Sequence, residues 1–69
     1  MAKRIQSRSE ELGLFIKQLE RDINNTQEKL DSVTEPLLID GFVFELKALN
    51  SRYSYYLNEL KEIGYDRAI

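Results

Sequence analysis

The spacing of the apolar residues constrains this 69-residue chain more than any other feature. Apolar residues recur at alternating steps of three and four, which places one apolar stripe along a single face of an α-helix. The first half of the chain carries the interleaved series Ser9, Ile16, Ile23, Leu30 and Leu12, Leu19, Thr26, Val33. The second half carries the series Ile39, Leu46, Tyr53, Leu60 and Phe42, Leu49, Tyr56, Ile63. We call these positions the seam, and they predict two long amphipathic helices.

The start of the first helix is indicated by the segment "SRSE", residues 7–10. It has the form of a capping box, in which the Ser7 hydroxyl accepts a hydrogen bond from the Glu10 backbone N–H and the Glu10 side chain accepts one from Ser7. This signal predicts a first helix over about residues 8–32 and a turn over about residues 33–35.

The second helix is bounded by a proline and a glycine. Pro36 suits the first turn of a helix, where its missing N–H would be unpaired in any case. Thr34 or Glu35 is then the N-cap, and Thr34 is the better acceptor for a backbone N–H. Gly64 suits the left-handed position that follows many helices. The second helix is therefore predicted over about residues 36–63.

Two helices of similar length with a short link between them favour an antiparallel arrangement. The predicted fold is a single all-α domain over residues 1–69, a coiled-coil-like two-helix hairpin. Two registers fit the seam: the numbers of facing residues add up to 72, with Ile23 opposite Leu49, or to 65, with Ile23 opposite Phe42. Glu45 and Arg52 lie at one edge of the seam, where ion pairs between helices set the register.

The second helix has a further apolar stripe on roughly the opposite side from the seam. We call it the second stripe, and it consists of Leu37, Gly41, Phe44, Ala48, Ser51 and Tyr55. Its small residues allow another helix to approach closely, and its large side chains fill the neighbouring gaps. Scattered exposed apolar residues are also ordinary on protein surfaces. A row of this length nevertheless favours an interface, with two hairpins forming a homodimeric four-helix bundle.

Composition limits the chemistry of the chain. It has no cysteine and no histidine, which excludes disulfides and nearly all zinc or haem sites. Small scaffolds that lack these supports usually rely on association with another chain. Asp40 and Glu45, five residues apart, do not share a helix face as paired catalytic carboxylates would. We therefore expect no enzymatic activity, no cofactor and no metal site.

Charge and hydropathy bear on partners and location. The net charge of −2 gives no strong field for nucleic acid or a membrane surface. No apolar run approaches the roughly 20 residues of a membrane span, so a cytoplasmic location is expected. The alternative function is a nucleic-acid-associated accessory factor, using the basic N-terminal residues and Arg52. Those N-terminal residues are Lys3, Arg4 and Arg8.

The segment "VTEPLLIDGFVFELKALNSRYSYYLNELKEIG", residues 33–64, resembles the short YaaL-like proteins of Gram-positive bacteria, a domain of unknown function. The matching positions are Pro36, Leu38, Ile39, Asp40, Phe44, Glu45, Leu46, Ala48, Arg52, Tyr53, Leu57, Lys61 and Gly64. Glu35 stands where the family has Asp, and Leu60 stands where it usually has Ala. The resemblance implies a bacterial cytoplasmic protein and no known activity. The resemblance leaves the function open, whereas the second stripe and the lack of catalytic groups predict a non-enzymatic protein that self-associates or binds another protein.

Overall fold

A computed structural model describes residues 2–63 of the chain, with side chains from residue 8 onward. Within this range the chain forms two helices, α1 (Ala2–Ser32) and α2 (Pro36–Glu62), and no strand. The helices pack against each other along their lengths. The predicted all-α helical hairpin is therefore confirmed.

Contacts between the helices establish the antiparallel direction and the register. Thr26 near the turn contacts Glu45, whereas Phe15 near the open end contacts Tyr56. The numbers of these facing residues add up to 71, which is close to 72, the first of the two predicted registers. The alternative register, 65, would instead place Tyr56 opposite Ser9. The hairpin therefore adopts the register that places Ile23 opposite Leu49.

The N-terminal end of α1 differs from the prediction. The backbone is already helical at Ala2, so the capping box at residues 7–10 does not start the helix. The preceding segment contains alanine, lysine, arginine and glutamine, which are good helix formers. Ile5 also continues the seam backwards by one step. Helix propensity and seam spacing therefore outweigh the local capping signal.

The ends of α2 follow the prediction in position and differ from it in capping. Glu35 is the N-cap residue, in an extended conformation, and its side chain makes no capping hydrogen bond. Thr34, the predicted better cap, precedes the N-cap position. Pro36 is the first residue of α2, and the Ile39 N–H donates to the Glu35 carbonyl at 3.0 Å. Gly64, predicted to end the helix, lies outside the described residues.

The core of the hairpin is the seam, and it is thin. Every seam residue is buried or half-buried, and Leu12 has no exposed surface. The molecule measures 51 × 19 × 15 Å, with a radius of gyration of 15.5 Å. A compact domain of this length has a radius of gyration of roughly 11 Å. A single hairpin is thus a rod that covers one face of each helix and leaves the other faces open.

Candidate interaction surface

The second stripe lies entirely on the exposed surface of α2. All six of its residues are exposed, and its large side chains Leu37, Phe44 and Tyr55 are 78%, 68% and 64% exposed. Since successive helical residues rotate by about 100°, the centre of this stripe lies roughly 145° around the helix axis from the centre of the seam. The hairpin therefore leaves these residues accessible, and their role as an interface stays a prediction.

The small residues of the second stripe leave the helix backbone open. A side-chain carbon added at Gly41 would meet no atom within 4 Å. Gly13 on α1 has equally open space, so a helical glycine alone does not distinguish this face. The combination on α2 is distinctive, since Gly41, Ala48 and Ser51 alternate with large exposed side chains. A second helix could approach closely between those large side chains.

Phe44 is at the middle of the large side chains and is only partly covered. The Lys47 Nζ atom lies 5.9 Å from the centre of the Phe44 ring. A cation–π contact at an exposed site stabilises by about 0.5–1 kcal/mol, which is small compared with burying a whole aromatic ring. Leu38 and Leu57, 51% and 37% exposed, add further exposed apolar surface to α2 outside the stripe.

The tyrosines near the open end of the hairpin have separate roles. The Tyr53 hydroxyl donates a hydrogen bond to the Glu20 carboxylate at 2.9 Å, and this bond raises the pKa of Tyr53. Tyr56 packs in the seam, with its ring centre 5.3 Å from that of Phe15. Tyr55 meets Tyr56 edge-on at 5.6 Å and belongs to the exposed stripe. These contacts place Tyr53 and Tyr56 in the hairpin itself.

A cross-helix ion pair joins the open ends of the two helices. The Arg8 Nε atom lies 2.6 Å from Glu59 Oε2, and Arg8 Nη2 lies 3.0 Å from Glu59 Oε1. Arg8 also contacts the Glu11 carboxylate one turn along α1. The hydrogen bond from Arg8 lowers the pKa of Glu59, and the two carboxylates raise the pKa of Arg8. Arg8 is therefore a structural residue of the hairpin.

The seam register could not have revealed this pair. A sum of 72 would pair Arg8 with position 64, five positions beyond Glu59, and the long guanidinium side chain spans that offset. Glu45 and Arg52 were predicted to form ion pairs with α1, and neither does within residues 8–63. Glu45 accepts a hydrogen bond from the Thr26 hydroxyl at 3.4 Å, and Arg52 makes no ion pair within residues 8–63. Glu20, which lies opposite this part of α2, accepts a hydrogen bond from the Tyr53 hydroxyl.

The Arg8–Glu59 pair predicts how stability depends on pH. Because the folded-state pKa of Glu59 is lowered, its contribution is fully present above the unfolded pKa of about 4.3 and is lost as the pH falls through the folded pKa. We expect the free energy of unfolding to fall between about pH 5 and about pH 3, and to fall less in a Glu59→Gln variant. Urea titrations at each pH measure this difference. A Glu28→Gln variant, changed at an exposed position of α1, is the control; equal pH profiles for Glu59→Gln and wild type would contradict the assignment.

The nucleic-acid alternative uses Lys3, Arg4, Arg8 and Arg52, and the structure describes the side chains of Arg8 and Arg52. Arg8 is paired with two carboxylates, and Arg52 is exposed on α2. The side chains of Lys3 and Arg4 lie outside the described part of the chain. The described residues also contain no cluster of three acidic, histidine or cysteine side chains suited to a metal ion, and no helix with the length and apolar character of a membrane span.

Comparison of the chain with protein-family models, with curated proteins and with solved structures finds no match. The resemblance to the YaaL-like proteins, and the bacterial cytoplasmic origin that it implies, therefore stay predictions.

Proposed function

We propose that this protein is a non-enzymatic interaction module that self-associates, two hairpins joining through the second stripe of α2. The observation that carries this proposal is the complete exposure of that stripe. From Leu37 to Tyr55 it extends for about 27 Å along the helix, at 1.5 Å per residue. Three large apolar side chains stand along it with at least 64% of their surface in water. Soluble monomers rarely leave so continuous an apolar row uncovered.

The total surface of the chain supports the same proposal. The hairpin exposes 5639 Å², whereas a folded monomer of 8.1 kDa exposes roughly 4,500 Å². The difference is about 1,100 Å² for each chain. A standard specific interface covers roughly 600–1,000 Å² on each partner. Pairing of two hairpins would therefore remove an area close to the excess that the rod shape leaves exposed.

A second copy of the chain is the occupant that we propose for this surface. The stripe contains small and large residues together, so it offers both the gaps and the side chains that fill them. An isologous dimer, in which both copies use the same patch, is the commonest form of soluble oligomer. Both α2 helices would then lie inside and both α1 helices outside. Since the seam and the second stripe are roughly 145° apart, the four helices would form a shallow layer rather than a square bundle.

Steric blocking of the second stripe tests this proposal. Ala48→Trp should weaken self-association about tenfold or more, because overpacking a close helix contact costs roughly 1–3 kcal/mol. Sedimentation velocity at several concentrations measures the association, and circular dichroism verifies that the hairpin is folded. Asn25→Trp places the same ring at an exposed position of α1 and should leave association unchanged. Equal association of the Ala48→Trp variant and wild type would contradict the proposed surface.

A further inference from the structure

We propose that the second copy packs antiparallel against α2 with Ala48 opposite the partner's Ser51, and that ion pairs fix this register. The pairs are Glu45 with the partner's Arg52 and Asp40 with the partner's Lys61. This inference rests on the proposed self-association and adds the direction and the alignment of the two helices. It is carried by the charged residues on both edges of the second stripe.

Charged side chains line the two edges of the second stripe. In the heptad repeat of the stripe, Glu45 and Arg52 occupy the flanking position on one edge, and Asp40, Lys47 and Lys61 occupy the flanking position on the other. All five side chains are exposed in the hairpin. Within residues 8–63 none of them forms an ion pair. A helix that packs on the stripe would therefore meet charges that the hairpin leaves without ionic partners.

A parallel arrangement brings like charges together. In a parallel pair of helices, a residue on one edge of the stripe faces a residue on the other edge of the partner's stripe. The number of the facing residue is higher by five. Asp40 would face the partner's Glu45, and Lys47 would face the partner's Arg52. Each contact occurs twice because of the two-fold symmetry. Like charges placed side by side are destabilising, so charge disfavours the parallel direction.

An antiparallel arrangement allows opposite charges to meet. Here the two-fold axis is perpendicular to the helices, so each edge of one copy meets the same edge of the other. If Phe44 lies opposite the partner's Ala48, Glu45 faces the partner's Glu45 and Lys47 faces the partner's Lys47. A shift of one heptad, with Ala48 opposite the partner's Ser51, replaces both of these contacts. Glu45 then faces the partner's Arg52.

The shifted register satisfies the other edge as well. Asp40 faces the partner's Lys61, so opposite charges meet on both edges of the stripe. A shift of one heptad in the other direction also pairs opposite charges, Asp40 with the partner's Lys47. That register, however, aligns Tyr55 with a position before Pro36, outside α2. It would leave the Tyr55 end of the stripe uncovered.

The same register gives the closest packing at the centre of α2. Ala48 and the partner's Ser51 meet twice around the two-fold axis, where two small residues let the backbones approach. Phe44 lies opposite the partner's Tyr55 on each side of that centre, which forms two aromatic contacts. Because α2 spans Pro36–Glu62, this alignment overlaps the helices over nearly their whole length. Leu37 lies at the end of the contact, opposite the partner's Glu62.

Charge reversal tests the register. Arg52→Glu should raise the dimer dissociation constant about tenfold at low salt, because two symmetric pairs change from attraction to repulsion. Glu45→Arg should act in the same direction, and the double variant should restore most of the lost affinity. Arg52→Glu is the cleaner single variant, because Glu45 also accepts the Thr26 hydrogen bond. Sedimentation equilibrium measures the dissociation constants.

A matched control exists on α1. Arg21 and Glu28 are also seven residues apart, exposed and opposite in charge. Arg21→Glu, Glu28→Arg and their double variant should leave the dimer unchanged. If wild type dimerises and the Glu45/Arg52 double variant does not recover affinity, the register is wrong and the self-association stands. If wild type is a monomer, both proposals are wrong.

Disulfide trapping gives an independent test, since the chain has no cysteine of its own. An Ala48→Cys protein mixed with a Ser51→Cys protein should form the mixed disulfide preferentially. Preferential linkage of Ala48→Cys with Phe44→Cys would instead show the unshifted antiparallel register. Preferential linkage of each protein with itself would show the parallel arrangement. Either of these last two results would overturn the inference, and mass spectrometry distinguishes the products.

Discussion

A Leu12→Ala variant is expected to be largely unfolded under conditions in which the wild type is folded. Leu12 has no exposed surface and lies in the seam between α1 and α2. Truncating a buried leucine costs about 2–4 kcal/mol, through lost transfer free energy and the cavity that remains. A domain this small has a total stability of about 5 kcal/mol, so the loss removes most of it. Leu19→Ala, at 5% exposure, should have a similar effect.

A nearby exposed leucine of α1 provides the control for this prediction. Leu14 lies two residues further along α1 and is 68% exposed. Leu14→Ala should change the free energy of unfolding by about 0.5 kcal/mol or less, as surface substitutions usually do. Urea titration followed by circular dichroism, at one protein concentration, compares the variants. A loss below about 1 kcal/mol for Leu12→Ala would mean that the seam is not the core.

A Phe44→Glu variant is expected to dissociate the dimer and leave the hairpin folded. Phe44 is on the opposite side of α2 from the seam, so its replacement removes no core contact of the single hairpin. In the proposed dimer the new carboxylate would be buried twice among apolar side chains, and Lys47, the nearest cation, is exposed at the edge of the stripe. An uncompensated buried charge costs about 3–5 kcal/mol, which corresponds to a loss of affinity of more than about a hundredfold. Light scattering at several concentrations measures the change in mass.

Leu14→Glu is the matched control for Phe44→Glu. Leu14 and Phe44 are both 68% exposed in the hairpin, and only Phe44 belongs to the second stripe. A carboxylate at Leu14 should therefore leave self-association unchanged. If Phe44→Glu stays dimeric with the affinity of the wild type, the interface is not on this face of α2. If both variants dissociate, the effect is one of added charge and not of the stripe.

The two helices and their facing sides could be predicted because they depend on local spacing. A stripe that repeats every three or four residues determines which side of a helix is buried, whatever the partner. Residues as different as Thr26 and Leu49 are therefore both buried, as their positions require. The choice between registers could not be made in the same way. A shift of seven residues leaves the seam pattern unchanged, and the helix contacts decide it.

The sequence-based predictions were wrong where a local signal competed with the long-range packing of the two helices. The capping box around Ser7 is a sound local signal, but α1 continues through it to Ala2. The pairing of Arg8 with Glu59 depends on the reach of a long side chain across five positions, which heptad matching does not represent. Arg52 makes no ion pair within residues 8–63, and Glu20, opposite it in the observed register, accepts a hydrogen bond from Tyr53.

The position of the candidate interface was predictable, whereas its occupant was not. The second stripe is visible in the sequence because it has the same period as the seam. Its exposure follows from the fact that a hairpin provides only one partner helix for α2. The identity of the chain that covers it depends on complementarity between two molecules. The charges at Glu45 and Arg52 bear on that question only once the helix edges are known.

If the second stripe joins two copies of this chain, sedimentation equilibrium of the unaltered protein should detect the dimer. The measurement covers low to high micromolar concentrations at low ionic strength. We expect the average mass to rise with concentration from the chain mass of 8.1 kDa to twice that value, and to level off there. A mass that remains at 8.1 kDa up to high micromolar concentration would contradict self-association through the second stripe.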